Sequence, residues 1–72
     1  MSVSRVYCII CDLGRATIVE IARRTGLPPW RVANAISVLK SQGSIRMVGY
    51  KTNPAYGKGI AQRWVQIWEA VD

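Results

Sequence analysis

Apolar residues recur at helical spacing over the first thirteen residues of the chain. They lie at i, i+3, i+4, i+7 and i+10, which is the stripe of an amphipathic helix. The apolar positions are Val3, Val6, Tyr7, Ile10 and Leu13. Gly14 follows them directly, and glycine is common just beyond a helix C-terminus. The pattern therefore predicts a first helix that ends at Gly14.

The next segment has the residues of a helix N-terminus. Thr17 is followed three residues later by Glu20, which is the spacing of a capping box, in which each side chain bonds the backbone amide of the other residue. Gly26 supplies the matching signal for a helix end. The sequence therefore predicts a second helix over residues 18–25.

Two prolines mark the start of a third helix. The residue before a proline disfavours the helical conformation, whereas proline itself is accepted at the first helical position. We therefore expect the third helix to begin at Pro29 and to stop at Gly43. Its predicted buried face comprises Val32, Ala35, Ile36 and Leu39. At about 100° per residue, the opposite face carries Trp30, Asn34, Ser37 and Ser41, flanked by Arg31 and Val38.

After Gly43 the apolar period changes from helical to alternating, which indicates a strand. Ile45 and Met47 are predicted to face one way, and Arg46, Val48 and Tyr50 the other. A polar loop over residues 51–59 follows, and a second β-rich run covers residues 62–68. We expect an antiparallel hairpin with a basic tip. The predicted class is α+β, with three helices followed by a two-stranded antiparallel hairpin in one domain over residues 1–72.

The second strand has two packing alternatives. If Val65 faces the core, Trp64 and Trp68 lie on the outer face of the hairpin and form an exposed aromatic patch. If Trp64 packs inward, Gln66 shares its face and needs a bulge or a buried hydrogen bond. We favour the second arrangement, with Trp68 at least partly exposed.

Charge is distributed unevenly along the chain. Ten Lys and Arg residues oppose four Asp and Glu residues, which gives a net charge of +6. No acidic residue lies between residues 21 and 68. The basic residues of that interval are Arg23, Arg24, Arg31, Lys40, Arg46, Lys51, Lys58 and Arg63. Such a distribution favours a polyanionic partner.

The composition disfavours catalysis. The chain has no histidine and two cysteines, so it cannot build a Cys/His zinc site alone or a catalytic pair that needs imidazole. Its carboxylates are few and scattered, and 72 residues leave little room for an enzyme cleft. We therefore expect no enzymatic activity, no cofactor and no metal.

Cys8 and Cys11 lie three residues apart in the first predicted helix. Redox motifs of this spacing lie at a helix N-terminus, whereas these cysteines fall in mid-helix. The favoured interpretation is that they have no function. The alternative is a metal shared between two chains through four thiols.

The apolar run over residues 6–10 is too short to span a membrane. The first residues also have no signal-peptide pattern of basic region, long apolar run and small-residue cleavage site. We therefore expect a cytoplasmic protein that does not associate with membranes.

The order of helix, helix, tight turn, helix and hairpin resembles the winged helix-turn-helix family, and residues 18–43 resemble its helix-turn-helix throughout. The matching positions are Ala22 at the helix crossing, Gly26 in the turn, Val32 and Ile36 in the core, and Gly43 at the end of the third helix. The resemblance covers roughly residues 5–69, with the helix-turn-helix at about 17–43 and the wing at about 44–69. Small bacterial, plasmid or phage transcription regulators, such as those of pilus operons, are most similar. A winged-helix group associated with ferrous-iron uptake has a similar outline without obvious DNA binding.

The resemblance implies a set of DNA contacts. In winged helices that bind DNA, the third helix enters the major groove and the wing lies along the adjacent backbone or minor groove. The implied third-helix contacts are Pro29, Trp30, Arg31, Asn34, Ser37, Val38, Lys40 and Ser41. The implied contacts of the second-helix end and wing are Arg23, Arg24, Lys51, Asn53, Tyr56, Lys58 and Arg63. Arg31 can pair with guanine and Asn34 with adenine.

The start of the third helix offers two further hypotheses. Trp30 either packs beneath the turn or presents its ring to sugar and phosphate. Pro28, at the capping position, has no side-chain acceptor, so the backbone amides of Trp30 and Arg31 are predicted to be available for a phosphate.

Two functions are consistent with these patterns. The first is sequence-specific binding of double-stranded DNA as a small transcription regulator, with a homodimer or a larger partner regulator expected on affinity grounds. The second is a protein-interaction module that works through the aromatic face of the hairpin without specific DNA binding. The residues of that face are Val48, Tyr50, Trp64 and Trp68.

Overall fold

A computed structural model of the chain describes residues 2–54, 56–57 and 63–71. Its elements are α1 (Ser2–Leu13), β1 (Arg15–Thr17), α2 (Ile18–Thr25), α3 (Pro29–Ser41), β2 (Ile45–Thr52) and β3 (Trp64–Ala70). The three helices are those that the sequence predicts. The chain is a small α+β structure in which the helices pack against one antiparallel sheet.

Local hydrogen bonds explain where α2 begins and ends. The backbone amide of Glu20 donates to Thr17 Oγ1 at 3.3 Å, and the amide of Thr17 donates to Glu20 Oε1 at 3.1 Å. Both halves of the predicted capping box are therefore confirmed. Gly26 ends the helix with a positive φ of 73°, and its amide donates to the carbonyl of Ala22. This left-handed conformation is strained for residues that carry a Cβ.

Within the described residues, the sheet has three strands, not the two that alternation predicts. Its order is β1-β3-β2, and both neighbouring pairs are antiparallel. β1 spans only three residues, which are too few for an alternating pattern, and its last residue also caps α2. A strand this short forms because β3 offers a free edge beside it.

A β-bulge changes the face on which the end of β2 lies. Met47 pairs with Trp68, but the next pair is Gly49 with Ile67, so one extra residue of β2 stands opposite β3. Side chains alternate along a strand, and an inserted residue reverses that alternation. Tyr50 therefore shares the sheet face of Met47, and the prediction that the two face opposite ways is wrong.

The core lies between the helices and the inner face of the sheet. Its buried members are Val6, Ile10, Ala16, Ile21, Val32, Ala35, Ile36, Leu39, Ile45 and Trp68. The four predicted core positions of α3 are all among them, and this prediction is confirmed. Each helix contributes an apolar stripe because one face of every element must be removed from water.

The two tryptophans of β3 reverse the favoured expectation. Trp68 is buried, with 5% of its surface exposed, whereas Trp64 is 52% exposed. Both lie on the same face by alternation, so position along the strand separates them. Trp68 pairs with Ala16 beneath the helices, and Trp64 lies four residues away, about 13 Å along the strand. Gln66 shares their face and is exposed, so it needs no buried partner.

Candidate nucleic-acid interface

The surface of α3 that faces away from the core carries the predicted third-helix set. All eight residues of that set are exposed. They are Pro29, Trp30, Arg31, Asn34, Ser37, Val38, Lys40 and Ser41. Their exposure follows from the helical period, because the opposite stripe is fixed in the core. Chemically, this surface presents one guanidinium, one amide, two hydroxyls and one ammonium group.

Trp30 does not pack beneath the turn. Its side chain is 61% exposed, and the guanidinium carbon of Arg31 lies 5.3 Å from the centre of its ring. Such cation–π contacts are worth about 0.5–1 kcal/mol at exposed sites. The contact holds a flat ring and a cation side by side at the start of α3, where no described carboxylate pairs with Arg31.

The backbone amides at the start of α3 are less available than predicted. Pro28 indeed provides no side-chain cap. The amide of Arg31, however, donates to the carbonyl of Pro28 at 3.0 Å. The amide of Val32 donates to the same oxygen at 3.2 Å. The first turn of α3 is thus tightened by an i to i−3 bond, and the hypothesis of a phosphate held by the Arg31 amide is wrong.

Two grooves border the exposed surface of α3. On one side, Ala33, Ser37 and Lys40 line a groove of about 360 Å³ together with Gln66 of β3. On the other side, Val38 lies in a groove of about 590 Å³ against α1. Val38 is therefore at the α1 margin of the surface, and the groove toward the hairpin combines apolar side chains with Ser37, Lys40 and Gln66.

Acidic residues that lie outside the basic interval in sequence pair with basic residues in the folded chain. Glu69 Oε1 lies 3.2 Å from Arg46 Nη2, and Glu69 Oε2 lies 2.8 Å from Arg15 Nε. The three residues stand side by side on neighbouring strands. Hydrogen bonds from Arg15 and from Arg46 hold the pKa of Glu69 below its ordinary value of 4.5.

Five cations of the interval have no ion pair among the described residues. They are Arg23, Arg24, Arg31, Lys40 and Arg63. Lys51 Nζ, by contrast, lies 3.9 Å from Glu20 Oε1. Arg46 is paired with Glu69. The interval contains no acidic residue, but two of its cations pair with Glu20 and Glu69 in the folded chain. The cations without an ion pair among the described residues lie on α2, on α3 and directly before β3.

The wing set divides into exposed and buried residues. Lys51, Tyr56 and Arg63 are exposed, as predicted contacts must be. Asn53 is buried, with 5% of its surface exposed. Its backbone amide donates to the backbone carbonyl of Arg63 at 2.7 Å, and its backbone carbonyl accepts from the backbone amide of Tyr56 at 3.0 Å. Asn53 therefore shapes the hairpin, and its prediction as a surface contact is wrong. Lys58 lies outside the described residues.

An aromatic and cationic cluster covers the outer end of the hairpin. Tyr50 is 60% exposed, and with Trp64 it lines an open groove of about 410 Å³. The guanidinium carbon of Arg63 lies 5.8 Å from the centre of the Trp64 ring and 5.9 Å from that of Tyr56. The sequence analysis includes Tyr50 and Trp64 in one hairpin face, but it groups them with Trp68 and not with Arg63 and Tyr56.

The hairpin aromatic face predicted for protein interaction is only partly exposed. Val48, Tyr50 and Trp64 lie at the surface, whereas Trp68 belongs to the core. The exposed apolar surface that could contact a protein partner therefore comprises three of the four predicted residues.

Cys8 and Cys11 are both exposed thiols on α1. Over residues 2–54, 56–57 and 63–71, no group of three or more metal-ligating side chains comes together. No helix within these ranges is long and apolar enough to cross a bilayer.

Comparison of the chain with protein-family models, with curated proteins and with solved structures gives no match.

Proposed function

We propose that the protein is a winged helix-turn-helix transcription regulator that binds a specific sequence of double-stranded DNA. The observation that carries this proposal is the exposed surface of α3, which presents Arg31, Asn34, Ser37 and Lys40, in a chain whose exposed cations on α2 and directly before β3 have no ion pair among the described residues. A helix of about 10–12 Å diameter suits the major groove, which is about 12 Å wide. The proposed function needs neither a catalytic residue nor a cofactor, and it is exercised in the cytoplasm.

Base recognition is assigned to the first half of α3. Arg31 can donate two parallel hydrogen bonds to the O6 and N7 atoms of guanine. Asn34, one turn further along, can both donate to and accept from adenine. Both side chains are exposed, Asn34 on the stripe opposite the core and Arg31 at its flank. Each such pair discriminates against a wrong base by about 1–3 kcal/mol.

Phosphate contacts are assigned to four cations that have no ion pair among the described residues. Arg23 and Arg24 occupy the last turn of α2, Lys40 lies in the last turn of α3, and Arg63 directly precedes β3. Contacts of this kind fix the position of a protein on DNA without reading its sequence. A single module of this size gives limited affinity, so we expect a homodimer or a larger partner regulator to complete the DNA complex.

The test is a selection of bound sequences from random duplexes, followed by titration of the selected duplex. We expect a defined preferred sequence and a loss of about 1–3 kcal/mol of binding free energy for Arg31→Ala, with relaxed preference at one base pair. Arg5→Ala is the matched control, because Arg5 is an exposed cation on α1 and is not among the proposed DNA contacts. Equal affinity for all duplexes, or equal losses in the two variants, contradicts the proposal.

The exposed pair of Tyr50 and Trp64 favours a second candidate, a protein-interaction module. In that case Trp64→Ala abolishes binding to a second copy or to another protein, and Arg31→Ala does not. Sedimentation of the wild type and both variants separates the candidates, because only the second predicts that the aromatic substitution alters association.

A further inference from the structure

The end of the hairpin presents two aromatic rings on one face of the sheet. Tyr50 stands opposite Gln66, and Thr52 stands opposite Trp64, so Tyr50 and Trp64 are diagonal neighbours. Diagonal positions in an antiparallel pair are about 7–8 Å apart, which is within reach of aromatic side chains. Adjacent bases in a nucleic acid strand are about 3.4 Å apart. The diagonal spacing therefore places both rings within reach of one flat ligand.

The groove between these rings suits a small planar ligand. Among the described residues, Tyr50 and Trp64 line this open groove of about 410 Å³. The described lining is therefore aromatic and offers no converging set of polar groups that would select one base. A site of this composition binds flat rings by stacking and tolerates different bases.

Charge at the groove matches a nucleotide better than an uncharged ring. The guanidinium of Arg63 lies against the Trp64 and Tyr56 rings, and no described carboxylate pairs with it. The chain has no acidic residue from residue 21 to residue 68, so β2 and the hairpin tip carry none. The groove thus combines ring faces with a free cation, as sites for single-stranded nucleic acid do.

We propose that Tyr50 and Trp64 bind an unpaired base of the DNA by stacking, while Arg63 contacts the adjacent phosphate. This inference rests on the proposed DNA-binding function and adds a ligand class that a duplex interior does not provide, because paired bases expose only their edges. The occupant is a short single-stranded segment that continues from the bound duplex. A protein partner is less well matched, since a stable protein interface buries about 1,200–2,000 Å² and this cluster has few exposed apolar residues.

The experiment compares the selected blunt duplex with the same duplex carrying a short single-stranded thymidine extension. Affinities are measured by fluorescence anisotropy for the wild type, Trp64→Ala, Trp64→Phe and Val48→Ala. Base stacking on an aromatic side chain corresponds to about a 5- to 150-fold change in affinity. We expect the extension to tighten wild-type binding by a factor in this range, and Trp64→Ala to remove that gain while binding the blunt duplex like the wild type.

The other two variants are controls. Trp64→Phe keeps an aromatic face and is expected to retain most of the gain. Val48→Ala removes exposed apolar surface at the bulge without removing a ring, and the full gain is expected to remain. Trp64 is about half exposed, so its replacement leaves the core intact, and circular dichroism checks that the variants are folded.

The outcomes separate the stacking site from the proposed function. If the blunt duplex binds but the extension adds nothing, or Trp64→Ala keeps the gain, the stacking site is refuted and DNA binding stands. If the wild type binds neither DNA, the proposed function fails. If Trp64→Ala changes the sedimentation of the free protein and leaves the gain intact, the cluster is a self-association surface and the stacking proposal is overturned.

Discussion

The separation of paired from unpaired cations leads to a prediction about salt dependence. Arg23 and Arg24 are exposed at the end of α2 and have no ion pair among the described residues. Arg15 and Arg46 are exposed but held by Glu69. The double variants Arg23→Gln/Arg24→Gln and Arg15→Gln/Arg46→Gln each lower the net charge from +6 to +4, because each removes two positive charges. They therefore differ in the position of the lost charge and not in its amount.

The magnitude follows from counterion release. Each phosphate that a cation neutralises contributes about −0.9 to the slope of log K against log[salt]. The four cations assigned to phosphates predict a slope of about −3.6, so affinity falls about 150-fold between 50 and 200 mM salt. Without Arg23 and Arg24 two contacts remain, the slope becomes about −1.8, and the fall is about 12-fold. The Arg15→Gln/Arg46→Gln variant is expected to keep the wild-type slope.

The assay is a titration of the selected duplex by fluorescence anisotropy at four or more salt concentrations. Equal slopes for the two double variants would show that net charge alone drives binding, and the assignment of phosphate contacts to α2 would be refuted. A wild-type slope near zero would refute the DNA-binding function itself, because no phosphate would then be neutralised.

Three further predictions concern the fold that positions this surface. Trp68→Ala is expected to lower the free energy of unfolding in urea by about 3–5 kcal/mol, because core packing is lost. Trp64→Ala is expected to change it by less than about 0.5 kcal/mol. Equal losses in the two variants would contradict the different burial of the two side chains. Thr17→Ala removes the acceptor for the Glu20 backbone amide, so it should lower the free energy of unfolding by about 1 kcal/mol in the same assay. An unchanged free energy of unfolding would show that the cap does not stabilise the protein. Glu69→Gln is expected to destabilise the protein at neutral pH, because the lowered pKa of Glu69 means that its carboxylate favours the folded state. The difference from the wild type should vanish as the pH falls from 4.5 through the lowered pKa, and a difference that persists in acid would contradict this origin.

The helices could be predicted because their signals are local. The capping residues Thr17 and Glu20 contact each other within one turn, and Gly26 ends the helix through its own backbone conformation. The apolar stripe of α3 likewise follows from a period that is visible in the sequence. These signals also determine which surface of α3 is exposed, and hence where Arg31 and Asn34 lie.

The sheet could not be predicted to the same extent, because its features depend on partners distant in sequence. β1 exists through its pairing with β3, more than fifty residues away. The bulge beside Met47 is a property of two strands together, and it brings Tyr50 to the face of Trp64. A one-residue shift in register reverses every side chain beyond it, so an alternating pattern alone cannot resolve the end of such a hairpin.

By itself, the sequence determined the three helices, the polar surface of α3 and the excess of positive charge. Those properties follow from helical periodicity, capping and composition, which act over a few residues at a time. Only the tertiary structure decided that Trp68 enters the core while Trp64 remains at the surface. Only it decided that Glu69 pairs with Arg15 and Arg46, while Arg23, Arg24, Arg31, Lys40 and Arg63 have no ion pair among the described residues. The physical reason is that burial and ion pairing depend on which segments meet in space, and a chain's local pattern does not contain that information.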